Sequence, residues 1–211
     1  MNDPIVMSIS VDDVGEPPVD LEAIGLVRFS DRKRATNSRL SFVREEVAAR
    51  VEQAAKVLPS GVRFLGVEAF RPPELQRRYY RHYWEGLESE NPDLTEDELS
   101  ALTARFVSPP DVAPHPSGAA IDLTLCDNDG RDLYLGSPVD ATPEASAGAC
   151  FTDATSLTPE ASENRKLLVK ALAGAGLVNY PTEWWHWSYG DRYWAVTTGA
   201  GNARYGPVPA P

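Results

Sequence analysis

The feature that most constrains this chain is a short aromatic segment, residues 181–189, which reads Pro-Thr-Glu-Trp-Trp-His-Trp-Ser-Tyr. It places Glu183 three residues before His186, one of only three histidines among the 211 residues. A carboxylate and an imidazole held among tryptophans can form half of a metal site. On a regular strand, residues three apart point to opposite faces. We therefore expect this segment to be irregular, or to lie where a strand begins, so that both side chains can reach one metal.

The other half of the site is predicted from residues 115–125. His115 lies in a stretch that is kept irregular by prolines, four of which occur in residues 108–116. Asp122 comes seven residues later, inside an apolar run that is typical of a buried strand. A carboxylate there is costly to bury unless it is paired or bound to a metal. Together with His186, these residues offer two imidazoles and one carboxylate, a set that suits Zn²⁺ with a fourth position left for water.

The chemistry of such a set is amide hydrolysis. Zn²⁺ lowers the pKa of bound water to about 7. Glu183, close to that water without being a ligand, can take its proton and hand it to the leaving amine. The developing oxyanion needs a donor or a cation beside the metal. Arg71, at the end of a predicted buried strand, is the candidate.

Two motifs in these segments have a known counterpart. Residues 115–122 read His-Pro-Ser-Gly-Ala-Ala-Ile-Asp, and residues 183–186 read Glu-Trp-Trp-His. The pair resembles the zinc D-Ala-D-Ala peptidases, and most of all the VanX-type D-alanyl-D-alanine dipeptidases. The likeness extends to Glu-Ala-Phe-Arg at 68–71 and to Leu-Gly-Ser-Pro-Val-Asp at 135–140. It spans about residues 60–195.

The resemblance implies a role for each matched residue. One Zn²⁺ per chain would be held by three side chains, His115, Asp122 and His186. Glu183 would act as general base and acid, and Arg71 would stabilise the tetrahedral intermediate. Asp140 would hold the free ammonium group of the substrate, and Ser117 is a second predicted substrate contact. Ala113 stands where the family usually has a serine, so one hydroxyl at the substrate's amino end is missing.

The order of the predicted elements indicates one α+β domain with a central antiparallel sheet and helices packed on it. The resemblance implies a zinc site in a cleft of that domain, similar to hedgehog and D,D-peptidase domains. Helices are expected at residues 39–58, 73–87, 95–106 and 158–174, and strands at 62–70, 119–125, 132–135, 183–189 and 193–198. A long loop is expected at 136–157. Residues 1–38 are predicted to be an extension that packs on the domain, and residues 201–211 a loose tail.

Charge and composition exclude other classes of protein. The net charge is −11 and the basic residues are scattered, which excludes a nucleic-acid partner. The densest basic run, residues 31–34, is predicted to be a solvated turn. No stretch approaches the roughly 18 apolar residues of a membrane span, and the first residues lack the pattern of a secretory signal. A cytoplasmic protein with a small dipeptide substrate is expected. Cys126 and Cys150 are then expected to be free thiols, although one bridge remains possible.

Three functions fit the sequence. The first is a zinc dipeptidase acting on D-Ala-D-Ala. The second is a D,D-carboxypeptidase or endolysin-type peptidase, which shares the zinc set but needs a more open cleft for longer peptidoglycan peptides. The third is a zinc-dependent peptide-binding module without turnover, and Glu183 argues against it because such a module needs no base. Taken singly, each residue has an ordinary interpretation, since a histidine beside tryptophans more often packs in a core.

Overall fold

The computed structural model describes residues 3–209. Its strands are β1 Pro18–Asp20, β2 Arg28–Phe29, β3 Phe42–Arg44, β4 Arg63–Glu68, β5 Ala120–Cys126, β6 Val178–Asn179 and β7 His186–Ser188. Its helices are α1 Pro4–Ser8, α2 Glu45–Ala55, α3 Pro73–Glu90, α4 Glu96–Thr103, α5 Pro159–Gly174 and α6 Arg192–Thr198, with one 3₁₀ turn at His115–Ser117.

Five strands form the central sheet, in the order β2-β4-β5-β7-β6. Strand β5 lies in the middle, and all seven of its residues are buried, because its apolar side chains are covered on both faces. Helices α2 and α5 contact each other, and α5 also contacts β5. Their buried side chains join those of β5 in the main core, among them Val47, Val51, Leu168 and Leu172. Asp122, one of the predicted metal ligands, lies on this buried central strand.

The α+β class is confirmed, with one difference in the sheet. The pairs β4–β5, β5–β7 and β6–β7 are antiparallel as expected, but β2 pairs with β4 in parallel. The sheet is therefore mixed, and part of the predicted N-terminal extension forms its edge strand. The predicted helix at 39–58 begins at Glu45, because residues 42–44 pair with β1 instead.

The prediction of a strand at 193–198 is wrong, since residues 192–198 form α6. Asp191 favours the helix, because its carboxylate accepts a hydrogen bond of 2.7 Å from the Trp194 amide and caps the first turn. The predicted strand at 132–135 shrinks to a single bridge between Cys126 and Asp132. The hairpin itself forms, since the Asp127 amide donates to the Arg131 carbonyl at 3.0 Å and the Leu133 amide to the Leu125 carbonyl at 2.8 Å. Residues 136–157 contain no helix or strand.

The predicted loose tail is also wrong for its described part, residues 201–209. Ala203 pairs with Val11 in a β-bridge, and Tyr205 is buried. The Gly206 amide donates to Asp13 at 2.8 Å. The tail therefore packs on the segment around Val11 and Asp13 and covers part of the core.

Cys126 and Cys150 are buried free thiols, in agreement with the expectation. Within residues 3–209, no helix combines the length and the apolar character that crossing a membrane requires. The cytoplasmic location stays a prediction.

Candidate active site

The site starts from one row of polar residues across the central sheet. Asp122 on β5 is the direct partner of Glu68 on β4 and of His186 on β7. Residues directly opposite each other in an antiparallel pair point to the same face. The three side chains therefore lie side by side, although 64 positions separate Asp122 from His186 in the sequence.

His115 reaches the row from the 3₁₀ turn before β5. The turn ends at Gly118, whose φ of +71° is a left-handed conformation that favours glycine. The His115 Nδ1 lies 2.6 Å from the Ala69 carbonyl oxygen. A carbonyl can only accept, so Nδ1 carries the hydrogen and Nε2 keeps its lone pair. That Nε2 lies 3.5 Å from Asp122 Oδ2, and the ring stands edge-on to His186, with 4.9 Å between the two centroids.

Three side chains of the predicted metal set meet at one point. Ligand atoms of His115, Asp122 and His186 all lie within 4.8 Å of one another, and all three residues are buried. Burial by itself would raise the pKa of Asp122, but the two histidines outweigh it and hold that pKa well below its usual range. An ionised carboxylate with two imidazoles is a donor set that Zn²⁺ accepts in catalytic sites. The cluster fits a single metal ion.

Glu183 lies in a turn just before β7. Its amide donates to the Tyr180 carbonyl at 2.9 Å, and the His186 amide donates back to the Glu183 carbonyl at 3.1 Å. The strand begins at His186, which confirms the expectation that this segment is irregular. Buried Trp184 anchors the turn, since its amide donates to the Cys150 carbonyl. The Glu183 carboxylate lies 4.0 Å from His186 Nδ1, and a quarter of its side chain is exposed.

The pKa of Glu183 is raised to about 7. Burial is the main cause, and the charges of Asp122 and Asp140 add to it, while those of His186 and Arg71 oppose it. A carboxyl group with a pKa near neutrality can both accept and donate a proton at physiological pH. A residue that acts first as general base and then as general acid needs this protonation behaviour.

Arg71 follows the end of β4 and is held on two sides. Its Nε and Nη2 donate to one oxygen of Glu68, at 3.1 and 2.6 Å, and its Nη1 donates to Gln76 at 2.8 Å. These bonds use three of the five N–H groups of a guanidinium. Burial opposes the charge, but Glu68 raises the pKa of Arg71, so the guanidinium stays protonated. Two N–H groups remain for a ligand.

Sequence reasoning missed Lys33 and Asn37, which complete the environment of Glu68. Glu68 is fully buried. Lys33 Nζ lies 3.2 Å from its Oε2, and Asn37 Nδ2 donates to its Oε1 at 2.8 Å. The prediction of a solvated turn at residues 31–34 is wrong for Lys33, whose side chain is only 15% exposed. An acid inside an apolar strand was the available signal, because a buried carboxylate needs cations near it.

Asp140 lies on the long loop, with a left-handed φ of +64°. Its two carboxylate oxygens are each 3.0 Å from Lys33 Nζ, and 54% of its side chain is exposed. Burial of Lys33 is outweighed by Glu68 and Asp140, which raise the pKa of its amine and keep it charged. The predicted ammonium-binding acid thus faces a cation of the chain itself.

The substrate contact predicted for Ser117 stays a prediction, and its hydroxyl is already hydrogen-bonded within the chain. Its hydroxyl donates to the Pro114 carbonyl at 2.7 Å and accepts from the Ala119 amide at 3.3 Å. The residue is buried, and its one proton is already used. Ser117 holds the turn that presents His115.

A cavity of about 180 Å³ opens beside Glu183. Its wall includes Arg105, Phe106, Ala141, Phe151 and Tyr180. Aromatic and small side chains form much of the wall, beside the Arg105 guanidinium and the Glu183 carboxylate. The cavity therefore offers space for a small substrate next to the candidate base.

Comparison with known proteins gives matches over most of the chain. The model of peptidase family M15, described as D-Ala-D-Ala dipeptidase, matches residues 26–200. A D-alanyl-D-alanine dipeptidase of Synechocystis sp. (strain ATCC 27184 / PCC 6803 / Kazusa) is 28% identical over 221 aligned positions, which cover 90% of this chain and 88% of that protein. A D-alanyl-D-alanine dipeptidase of Escherichia coli (strain K12) is 40% identical over 72 positions, 34% of this chain and 35% of that protein.

Among solved structures, the vancomycin-resistance D,D-pentapeptidase VanY in complex with Zn(II) gives a TM-score of 0.45 at 14% identity. That match covers 77% of this chain and 80% of the other.

Proposed function

Because the chain belongs to the D-Ala-D-Ala dipeptidase family of M15 peptidases, we propose that it is a Zn²⁺-dependent dipeptidase that hydrolyses D-Ala-D-Ala or a closely similar dipeptide. The observation that carries this proposal is the convergence of His115, Asp122 and His186, with the Glu183 carboxylate 4.0 Å from the last of them. A zinc-dependent peptide-binding module would need the three metal ligands but not a general base such as Glu183.

One Zn²⁺ per chain would be held by three atoms, His115 Nε2, an Asp122 oxygen and His186 Nδ1. When bound, the ion supplies a positive charge beside the scissile carbonyl and a water of pKa about 7. Ala69 supports the site by fixing the tautomer of His115, a contact that orients a ligating imidazole.

Glu183 moves the proton. It takes a proton from the attacking water at one carboxylate oxygen and then delivers that proton to the leaving amine nitrogen. Its place in a turn, rather than within β7, lets its carboxylate and the His186 ring approach one point. Burial raises the pKa of Glu183 to about 7, which suits both steps.

Arg71 stabilises the oxyanion with the N–H groups that Glu68 and Gln76 leave open. Because three hydrogen bonds already fix the guanidinium, little reorganisation is needed when negative charge develops on the carbonyl oxygen. Glu68 is thus the residue that orients Arg71.

Asp140 binds the free ammonium group of the substrate. More than half of its side chain is exposed, so a ligand can reach it. A carboxylate offers about four lone-pair positions, so Asp140 can accept from a second cation while Lys33 stays bound. Selection for a free amino end favours a dipeptide over the interior of a longer peptide.

The test is hydrolysis of D-Ala-D-Ala by the purified protein, measured as release of D-Ala. We expect activity that a chelator abolishes and that added Zn²⁺ restores, and little activity on L-Ala-L-Ala or N-acetyl-D-Ala-D-Ala. Preferential release of D-Ala from a pentapeptide would replace the proposal with a D,D-carboxypeptidase. Binding of the dipeptide by zinc-loaded protein without product would replace it with a binding module.

A further inference from the structure

Lys33 joins a buried acid of the sheet to an exposed acid of the long loop. Its ammonium lies 3.2 Å from Glu68 and 3.0 Å from Asp140. We propose that Lys33 is a positioning residue that sets the preference for a free amino end, by holding the Asp140 carboxylate where the substrate ammonium is bound. The proposal rests on the function proposed above for Asp140.

The first step is that Lys33 is itself firmly placed. Its carbonyl accepts hydrogen bonds from the amides of Thr36 and Asn37, at 3.1 and 2.9 Å. Asn37 is buried and donates to both Glu68 and the Phe70 carbonyl, at 2.8 and 2.7 Å. The turn that carries Lys33 is therefore fastened to the end of β4. Lys33 and Arg71 are thus both held at the end of β4.

The second step is that Asp140 has few constraints apart from Lys33. The loop around it is anchored from a distance by Arg165, which donates to the carbonyls of Leu135, Ala149 and Phe151. Asp140 lies between these anchor points, half-exposed and in a left-handed conformation. An exposed side chain of this kind samples several rotamers unless a partner selects one. The contact of both carboxylate oxygens with Lys33 supplies that selection.

The third step concerns charge. Lys33 and Arg71 share the single negative charge of Glu68, which leaves one positive charge in excess. Asp140 neutralises that excess from the loop side. Loss of Lys33 would leave Arg71 and Glu68 paired one to one, so the oxyanion donor would keep its orientation. Asp140 alone would lose its fixed place, and the effect should fall on substrate affinity rather than on the chemical step.

The experiment compares Lys33→Met with the wild type on D-Ala-D-Ala and on N-acetyl-D-Ala-D-Ala. We expect KM for the free dipeptide to rise about tenfold while kcat changes by no more than about twofold, the signature of lost binding that is equal in the ground and transition states. The preference for the free over the blocked dipeptide should fall. Lys33→Arg should restore most of that preference, because a guanidinium can also hold a carboxylate.

A double variant tests whether Lys33 acts through Asp140. Adding Lys33→Met to Asp140→Asn should change KM no further than Asp140→Asn does alone. Lys56→Met is the matched control, since Lys56 is an exposed lysine paired with Glu52 at 3.0 Å on α2, and it should behave as wild type. An unchanged preference in Lys33→Met, or additive effects in the double variant, would overturn the proposal.

A second measurement needs no catalysis. Acylation of amines by an activated ester, followed by peptide mapping, should modify Lys33 several-fold more slowly than Lys56 in the wild type. Asp140→Asn should accelerate the modification of Lys33 and leave that of Lys56 unchanged. An unchanged Lys33 rate would refute the contact even if the dipeptidase is active. If the wild type cleaves no dipeptide while the Lys33 rate responds, the function proposed above fails and the contact stands.

Discussion

Asp122 Oδ1 lies 3.0 Å from His186 Nδ1, and the two residues are direct partners across β5 and β7. This pairing ties the candidate metal centre to the hydrogen-bond ladder of the sheet. A shift of β7 by one residue would turn His186 to the other face and destroy the site. The register is in turn fixed by buried neighbours such as Trp187, which pairs with Ile121. The site is therefore as rigid as the core beneath it.

Glu183→Gln should lower kcat on D-Ala-D-Ala by about 10²–10⁴-fold, the range expected for loss of a general base. The amide has nearly the same shape as the carboxylate, so the turn before β7 should persist. Bound zinc, measured by atomic spectroscopy, should remain at one ion per chain. Activity equal to that of the wild type would remove Glu183 from its assigned role.

His115→Ala should remove both zinc and activity. The remaining ligands, Asp122 and His186, leave too few donors for tight binding. The chain offers a matched control in His82, which is exposed on α3, and His82→Ala should keep full zinc content. Dialysis against a weak chelator followed by metal analysis makes the comparison. Full zinc occupancy in His115→Ala would contradict the assigned ligand set.

Gly118→Ala should weaken zinc binding without touching a ligand. Gly118 has φ +71°, and a Cβ there would lie 3.4 Å from the Arg44 backbone nitrogen. A left-handed conformation costs a non-glycine residue about 1–2 kcal/mol, and relief of that strain would move the His115 turn. Gly199→Ala is the control, because Gly199 has φ +73° and open space around it. Both variants should unfold at similar, lower denaturant concentrations, and only Gly118→Ala should lose zinc affinity.

Asp13→Asn should make the protein less sensitive to acid. Burial opposes ionisation of Asp13, but hydrogen bonds from Gly206 and Gly15 and the charge of Arg44 lower its pKa below the ordinary value. Such a group stabilises the fold above the pKa of the unfolded chain, near 4, and this stability is lost as the pH falls through the lower, folded pKa.

The effect at neutral pH should be on the order of 1 kcal/mol, since a third of the Asp13 side chain is exposed and solvent screens the pair. Urea unfolding of the metal-free protein at several pH values between 2 and 7 measures it. Identical pH slopes for the wild type and Asp13→Asn would contradict the prediction.

The metal-ligand part of the site can be predicted from sequence because its residues are polar side chains within apolar segments. Asp122 is an acid in an apolar strand, and His186 is a rare histidine among tryptophans. A polar side chain in such a setting needs a metal ion or a charged side chain beside it. The other polar residues in apolar segments are therefore the first candidates for that neighbour. The same reasoning applies to Glu68, an acid in an apolar strand, but the sequence does not indicate that Lys33 lies beside it.

The missed parts depend on contacts that local sequence does not encode. Lys33 belongs to a charged turn that would ordinarily be solvated, and only the packing of β2 beside β4 carries that turn to the end of the sheet. Residues 193–198 have the aromatic and β-branched composition of a strand, but one capping aspartate makes them helical. Tertiary contacts and a single cap outweigh average propensity in both cases.

The bridge between Val11 and Ala203 brings a segment near the start of the described chain beside one near its end. A circularly permuted protein, in which a linker joins residue 209 to residue 3 and new ends are opened between α3 and α4, should therefore keep the same fold. The new break would fall in exposed residues 92 and 93, away from the central sheet. In such a permutant, the hydrogen bond from the Gly206 amide to Asp13 would join two positions of one short segment, whereas 193 positions separate them in this chain.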